Sequence, residues 1–285
     1  MTDADLHQPP FPFRPWAAVM GLGAWRPGFP DVRASHDQSA RPDADVPPAR
    51  LPPRLRRRTS LLVRMIAEVA AQASEQAGLP LGAMPIVVGS AYGELGTTME
   101  LLHELTVDRA VSPFRFHNSV HNTASGYLSI AHENRRPATS LAAGEHTAAM
   151  VLLEAMTVLA ERGGDVLVVL ADETLPAALT SPIATPASAA MILRARPRDG
   201  DEATFAALDR DALAWLGDLR PGPAAPPIPA ERAADDDGGG RAFLRLLSAV
   251  VEARAQAHPC RVQLTPGIGG GGWSIAVASS SRGLP

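Results

Sequence analysis

The chain contains no lysine; all 26 of its basic residues are arginine. A mechanism that needs a Schiff-base lysine, a phosphate-loop lysine or a lysine-paired cysteine is therefore excluded. Cysteine is nearly absent too. The single Cys260 has no internal disulfide partner, which points to a reducing compartment. Aromatic residues make up only 5%, so the core must be built from aliphatics. Basic charge is not in excess: the net charge is −4, unlike the footprint of a nucleic-acid-binding domain. No apolar run approaches the about twenty residues that span a bilayer. Residues 1–15 lack the basic-then-apolar pattern of a secretory leader. A cytoplasmic location, with no nucleic acid and no membrane span, is the expectation.

What is present suits a globular domain. The 285 residues are 46% hydrophobic and 20% charged, enough for one large domain or one with a small appendage. Residues 16–25 and 86–89 read as short buried strands, and 139–143 as a strand of small residues. Residues 165–171, DVLVVLA, are apolar on both faces, as a central parallel strand should be. A further strand is expected over 189–195. Apolar residues recur at helical spacing over 54–78, 94–105, 124–132 and 147–162. Residues 26–53 and 113–123 lack periodicity and read as irregular. The alternation predicts an α/β layered domain with a parallel or mixed sheet over 1–195. Residues 196–240, rich in Pro, Gly and Asp, read as a flexible surface connection. A helix over 241–257 and strands over 261–264 and 273–279 are expected to complete the same domain as a reduced C-terminal part.

Two tempting motifs fail on context. GIGGGG (267–272) fits G-x-G-x-x-G, but a strand rather than a helix follows it, so the dinucleotide-binding pattern does not apply. His117 and His121 stand four apart, as in a helical metal pair, but Pro113 and the missing periodicity argue against a helix, and no third ligand is evident. No metal and no cofactor is expected. Arg56, Arg57 and Arg58 sit where a helix would start, an end at which the dipole disfavours cations; such a run is ordinarily a solvated face.

The segment HNTASGYLSIAHENRRPATSLAAGEHTAAM (121–150) resembles β-ketoacyl synthases. These carry N-x-x-A-G-x-x-S, then G-P, then a short strand ending in T-A-C-S-S, then a helix and a strand. Gly126, Ser129 and Pro137 match, with Arg136 in place of the glycine. Counting on without a gap, the nucleophilic cysteine falls on Glu145. LPPRLRRRTSLLVRM, VVGSAYGELGTT, SPFRFHNSVHNTASG and ADETLP are similar to a branch of short ketosynthase-like proteins from aryl polyene, xanthomonadin-type and related lipid clusters. The resemblance covers about residues 50–180. GIGGGGWSIAV further resembles the glycine-rich turn and last strand of the synthases.

The resemblance implies a thiolase-like layered fold with its C-terminal half truncated. It also implies lost chemistry. A decarboxylating condensation needs a thiolate, two imidazoles and a ring of backbone N–H groups. The synthases' histidine motifs are absent, and the one histidine after residue 146 is His258. The implied role is a chain-length-factor-like, inactive partner of an active 3-oxoacyl synthase. The alternatives are a stand-alone synthase or malonyl decarboxylase, or a non-catalytic scaffold. Pairing is expected through Thr139, Ser140, Leu141, Ala142 and Ala143, the strand through which thiolase-like folds dimerise. His121, Asn122, Gly126 and His146 are expected to scaffold the loop beneath residue 145 or to line the substrate tunnel. Gly267, Gly269 and Gly270 stand at the equivalent of an oxyanion turn. Arg56, Arg57 and Arg58 are candidates for contact with an acidic acyl carrier protein, engaged through the complex. Glu145 itself has three readings: a carboxylate favoured at a helix start, a residual decarboxylation group, or a gating or ion-pairing group at the partner interface.

Overall fold

The computed structural model describes residues 13–27, 50–175, 185–222, 239–253, 259–265 and 272–280. Strand β1 (Pro15–Trp25) is buried along nearly its whole length. A short helix α1 (Pro53–Arg56) precedes the long helix α2 (Leu61–Ala77). Then come β2 (Ile86–Gly89), α3 (Leu95–Val107), α4 (Pro113–Asn118), α5 (Thr123–Ala131) and β3 (Ala138–Leu141). Helix α6 (Thr147–Arg162), β4 (Asp165–Asp172), β5 (Ala187–Ala195), α7 (Glu202–Asp211) and β6 (Ala214–Gly222) follow. The chain finishes with α8 (Gly239–Ala253), β7 (Cys260–Gln263) and β8 (Gly272–Ala278).

The eight strands of the described residues form one mixed sheet in the order β3-β2-β4-β5-β1-β6-β8-β7. Strands β2, β3 and β4 are mutually parallel, and the remaining pairs are antiparallel. Each face of the sheet buries its own apolar cluster. One holds the α2 residues Met65, Ile66 and Val69 with Leu128 of α5. The other holds Val151 and Leu152 of α6 with Phe243 and Leu246 of α8. The result is the helix–sheet–helix layering expected for an α/β domain.

Helix α2 lies close on β1 because two glycines allow it. A Cβ on Gly21 or Gly23 would overlap the carbonyl oxygens of Ala73 and Val69. Where β1 runs on past its pairing with β6, which ends at Val19, the side chains of Gln76 and Gln72 accept hydrogen bonds from the Leu22 and Ala24 amides at 2.6 and 3.0 Å. These bonds satisfy edge amides that would otherwise lie unpaired.

Three expectations need correction. Residues 54–78 are not one helix. Ser60 caps α2, its hydroxyl accepting from the Val63 amide at 3.1 Å, and separates it from α1. The arginine cluster therefore stands at the carboxyl end of α1, where the dipole favours cations, rather than at a helix start. Residues 113–118 are helical, because Ser112 caps the amide of Arg115 and Pro113 fits the first turn. Within 196–240, residues expected as a connection form α7 and β6. Asp201 caps α7, accepting from the Thr204 amide at 3.2 Å. Fully buried Trp215 of β6 stacks on Phe205 of α7, 4.9 Å between centroids, and donates its indole N–H to Asp209 at 2.7 Å. Among the described residues, no helix is long and apolar enough to cross a membrane.

Candidate functional site at the head of α6

Because β2, β3 and β4 are parallel, their carboxyl ends lie side by side. Such strand ends are where open α/β sheets place ligands. β3 leads through Ala142 and Ala143 into a single 3-10 turn, Gly144–His146, that opens directly into α6. Gly144 has φ +54, a left-handed conformation suited to glycine. Buried Thr147 holds the turn: its hydroxyl donates to the Gly144 carbonyl at 2.7 Å and accepts from the Ala143 amide at 3.0 Å. Glu145 and His146 project from this turn, each with just over a third of the side chain exposed, and Glu145 Oε1 lies 3.6 Å from His146 Nε2. The Nδ1 of His146 is buried without a hydrogen-bond partner. Glu145 thus stands at a helix amino terminus, where the dipole favours a carboxylate.

The end of β2 abuts this turn. The Ser90 amide donates to the Leu141 carbonyl at 3.1 Å, and a Cβ on Gly89 would press on Val151 and Thr147 of α6. Buried Asp172, at the end of β4, accepts from the Ser90 hydroxyl at 2.9 Å and the Ala91 amide at 2.7 Å. The Ser90 hydroxyl in turn accepts from the Gly93 amide at 2.8 Å. Gly93 has φ +58, and a Cβ there would lie 2.7 Å from Nδ1 of His121. His121 therefore packs on the Ser90–Glu94 loop, next to the site but not within the Glu145 turn. Its Nε2 is buried and without a hydrogen-bond partner. His117 lies inside α4 and His121 beyond its end, so their spacing of four is not helical. Among the described residues, no group of His, Cys, Asp and Glu is arranged to hold a metal ion.

Asn122 is the residue before α5, and its side chain makes no capping bond. Gly126 lies on α5, and open space surrounds its missing side chain. Among the described residues β3 pairs with β2 alone and forms one edge of the sheet. The Pro137 and Leu141 carbonyls accept from the Ile86 and Ser90 amides, so odd-numbered residues face β2 and Ala138 and Ser140 turn their backbone groups outward. Ser140 and Ser125 hydroxyls meet at 3.0 Å, tying β3 to α5, and Thr139 donates to Glu154 of α6 at 3.2 Å. Ala142 is exposed and Ala143 half-buried. Gly267, Gly269 and Gly270 lie outside the described residues.

Sequence reasoning missed two carboxylates next to the site, buried Glu94 and half-buried Glu173. Glu94, 2% exposed, accepts from the Ser60 hydroxyl at 2.7 Å and the Thr97 hydroxyl at 3.3 Å. Burial, with some repulsion from Glu173, pushes its carboxyl up from the ordinary 4.5 to about 7. Glu173 accepts from the Leu62 amide at 2.7 Å, and burial raises it as well. Together they crowd the amino terminus of α2, Glu173 directly and Glu94 through its cap. Acidic residues at the start of a helix and just past a strand read as surface.

The sequence model of the β-ketoacyl synthase N-terminal domain matches residues 31–214, more than half of the chain. No curated protein sequence matches the chain. Solved structures do. The chain is similar to the ketosynthase ApeO in complex with its chain length factor ApeC from Xenorhabdus doucetiae. That match has TM-score 0.66 and 17% identity, covering 92% of this chain and 100% of that one. An AntDE:AntF complex, a type II acyl carrier protein with its ketosynthase, matches with TM-score 0.71 and 14% identity, covering 93% and 100%. The ishigamide ketosynthase/chain length factor matches with TM-score 0.68 and 16% identity, covering 93% and 99%. At these identities the likeness is one of fold, and the fold is the ketosynthase, thiolase-like one.

Proposed function

We propose that this chain, which belongs to the family of β-ketoacyl synthase N-terminal domains, is a non-condensing, chain-length-factor-like partner of an active 3-oxoacyl synthase. One observation carries the reading. The head of α6 presents Glu145, a carboxylate, at the position that the motif resemblance assigns to the thiol of a condensing enzyme. The only thiol of the chain, Cys260, lies on β7 at the far edge of the sheet. Burial pushes that thiol up, away from the thiolate form that attacks thioesters. A carboxylate at the equivalent place forms no thioester-linked acyl intermediate.

The outer edge of β3, unpaired among the described residues, supports a pairing role. Its outward N–H and C=O groups at Ala138 and Ser140 are suited to strand addition by a chain of like fold. The fold likeness to a ketosynthase with its chain length factor fits the same reading. In such a pair the partner supplies nucleophile and imidazoles, and this chain contributes to the wall of the tunnel that holds the growing acyl chain, Glu145 and His146 facing that interface. Arg57 and Arg58, exposed after α1, are the candidate contact for an acidic acyl carrier protein. Assembly of this kind belongs in the cytoplasm, in polyene or fatty-acid-like synthesis.

The test is co-expression with a cysteine-bearing synthase from the same genome, followed by size exclusion and product chain-length analysis. The expected result is a one-to-one complex whose products change in length or yield when this chain is omitted. A stable monomer that ignores the synthase, or condensation by this chain alone, would overturn the reading.

A further inference from the structure

Helix α3 has one buried side chain, Leu101. Leu102, Leu105 and Val107 leave 51%, 52% and 63% of their surface in solvent. Helix α4 adds Phe114 at 43% and Phe116 at 61%, and its one buried residue is polar Asn118. The hairpin is nonetheless well fastened. Arg115 of α4 pairs with Glu100 at 3.2 Å and Glu104 at 2.7 Å, both on α3. At its base the Arg58 guanidinium lies 5.4 Å from the Phe114 ring centre, and Asn118 donates to the Arg58 carbonyl at 2.8 Å. The Tyr127 hydroxyl of α5 reaches Asn118 Oδ1 at 3.1 Å. A preformed support with exposed apolar side chains is an arrangement that binds at low ordering cost. Folded monomers rarely leave apolar patches of more than a few hundred Å² uncovered.

We infer that the α3–α4 hairpin is the arm by which this chain holds its ketosynthase partner, with β3 setting the register. The inference rests on the partnership proposed above. Size argues for it. A four-residue strand is about 13 Å long, too short alone to bury the roughly 800 Å² per partner of a stable interface. The half-exposed leucines and phenylalanines of the arm offer on the order of 100 Å² apiece. The arm is also continuous with the strand edge. It runs directly into α5, which is tied to β3 through the Ser125–Ser140 hydroxyl pair and carries Ile130, 58% exposed, on its surface. Arg115 already pairs with Glu100 and Glu104 across the arm, which partly offsets the charge on that face.

The experiment compares wild type with Leu102→Glu/Leu105→Glu/Phe116→Glu, and with the milder Leu102→Ala/Phe116→Ala in case the first misfolds. Binding to the synthase is measured by calorimetry and size exclusion, with thermal melts of the isolated chain alongside. Because these side chains are already exposed, the melting temperature should hold while Kd weakens by about 100-fold for the charged set and about 10-fold for the alanine pair. Binding within threefold of wild type, while wild type itself pairs, overturns the arm and leaves the partnership standing. A wild-type chain that binds no synthase overturns both. Loss of self-association with synthase binding intact would assign the arm to a second copy of this chain and reject the proposal.

Discussion

Replacing Glu94 by Gln should stabilise the protein at alkaline pH. Its carboxyl ordinarily titrates near 4.5, and in the folded chain burial raises it to about 7. The folded state therefore holds the proton more tightly than the unfolded state. Stability is greatest below about pH 4.5 and is lost as pH rises through that window to about 7. The difference of roughly 2.5 units at 1.36 kcal/mol each makes an ionised Glu94 cost about 3 kcal/mol above pH 7. A glutamine keeps the oxygen that accepts from Ser60 and turns its amide toward the Thr97 hydroxyl, which can accept. The variant should melt about 6–10 °C higher than wild type at pH 8 and nearly level with it at pH 5. Thermal and urea unfolding at the two pH values is the assay. Because Glu173 is raised as well, some pH slope should survive in the variant. An E94Q chain that is no more stable at pH 8, with the wild-type slope between pH 5 and 7 intact, would refute the account.

Glu145→Cys should give a thiol that reacts with iodoacetamide but yields no 3-oxoacyl product, since the histidine motifs are missing too; product detection by mass spectrometry checks it, and condensation would mean that imidazoles come from elsewhere. Glu145→Gln in the reconstituted pair should leave product length and yield unchanged if the carboxylate serves only the helix terminus, and a changed yield would assign it a role at the interface. Ala138→Pro removes an outward amide from β3 without touching the bonds to β2, so synthase binding should weaken at least about 10-fold while the chain's own melting temperature holds. Gly23→Ala should destabilise by about 2–3 kcal/mol in chemical unfolding, because α2 leaves no room for the added carbon.

The layered fold was legible where one rule acted alone. Residues 166–171 are apolar at every position, and their burial on both faces follows from that. Helix α6 shows its periodicity plainly, with Val151, Leu152 and Ala155 all buried. The helix expected from Thr147 onward begins there, and Glu145 falls in the turn just before it. Legibility failed where long-range contact decides. Trp215 and Phe205 make α7 and β6 cohere, yet a proline run just beyond them made the whole stretch read as a connection. Helix α4 was hidden by Pro113, read as a breaker although proline is at home in a first turn. The burial of Glu94 and the partial burial of Glu173 left no local mark, because they depend on α2, α3 and β4 meeting at one corner.

The place of β1 in the sheet has a consequence for how the chain is made. β1 is synthesised first, yet its neighbours are β5 and β6, so Ala17 pairs with Ala195 and Ala18 with Trp215. At about 5–20 residues per second, the ribosome leaves this apolar segment without its partners for on the order of 10 s. Pairings between such distant segments form slowly, and an unpaired strand of this kind invites association with other chains. The same two glycines that let α2 approach also weaken β1 as a freestanding strand. Newly made chains should therefore depend on holdase chaperones until β5 and β6 emerge, and truncations ending before residue 187 should aggregate where the full chain does not.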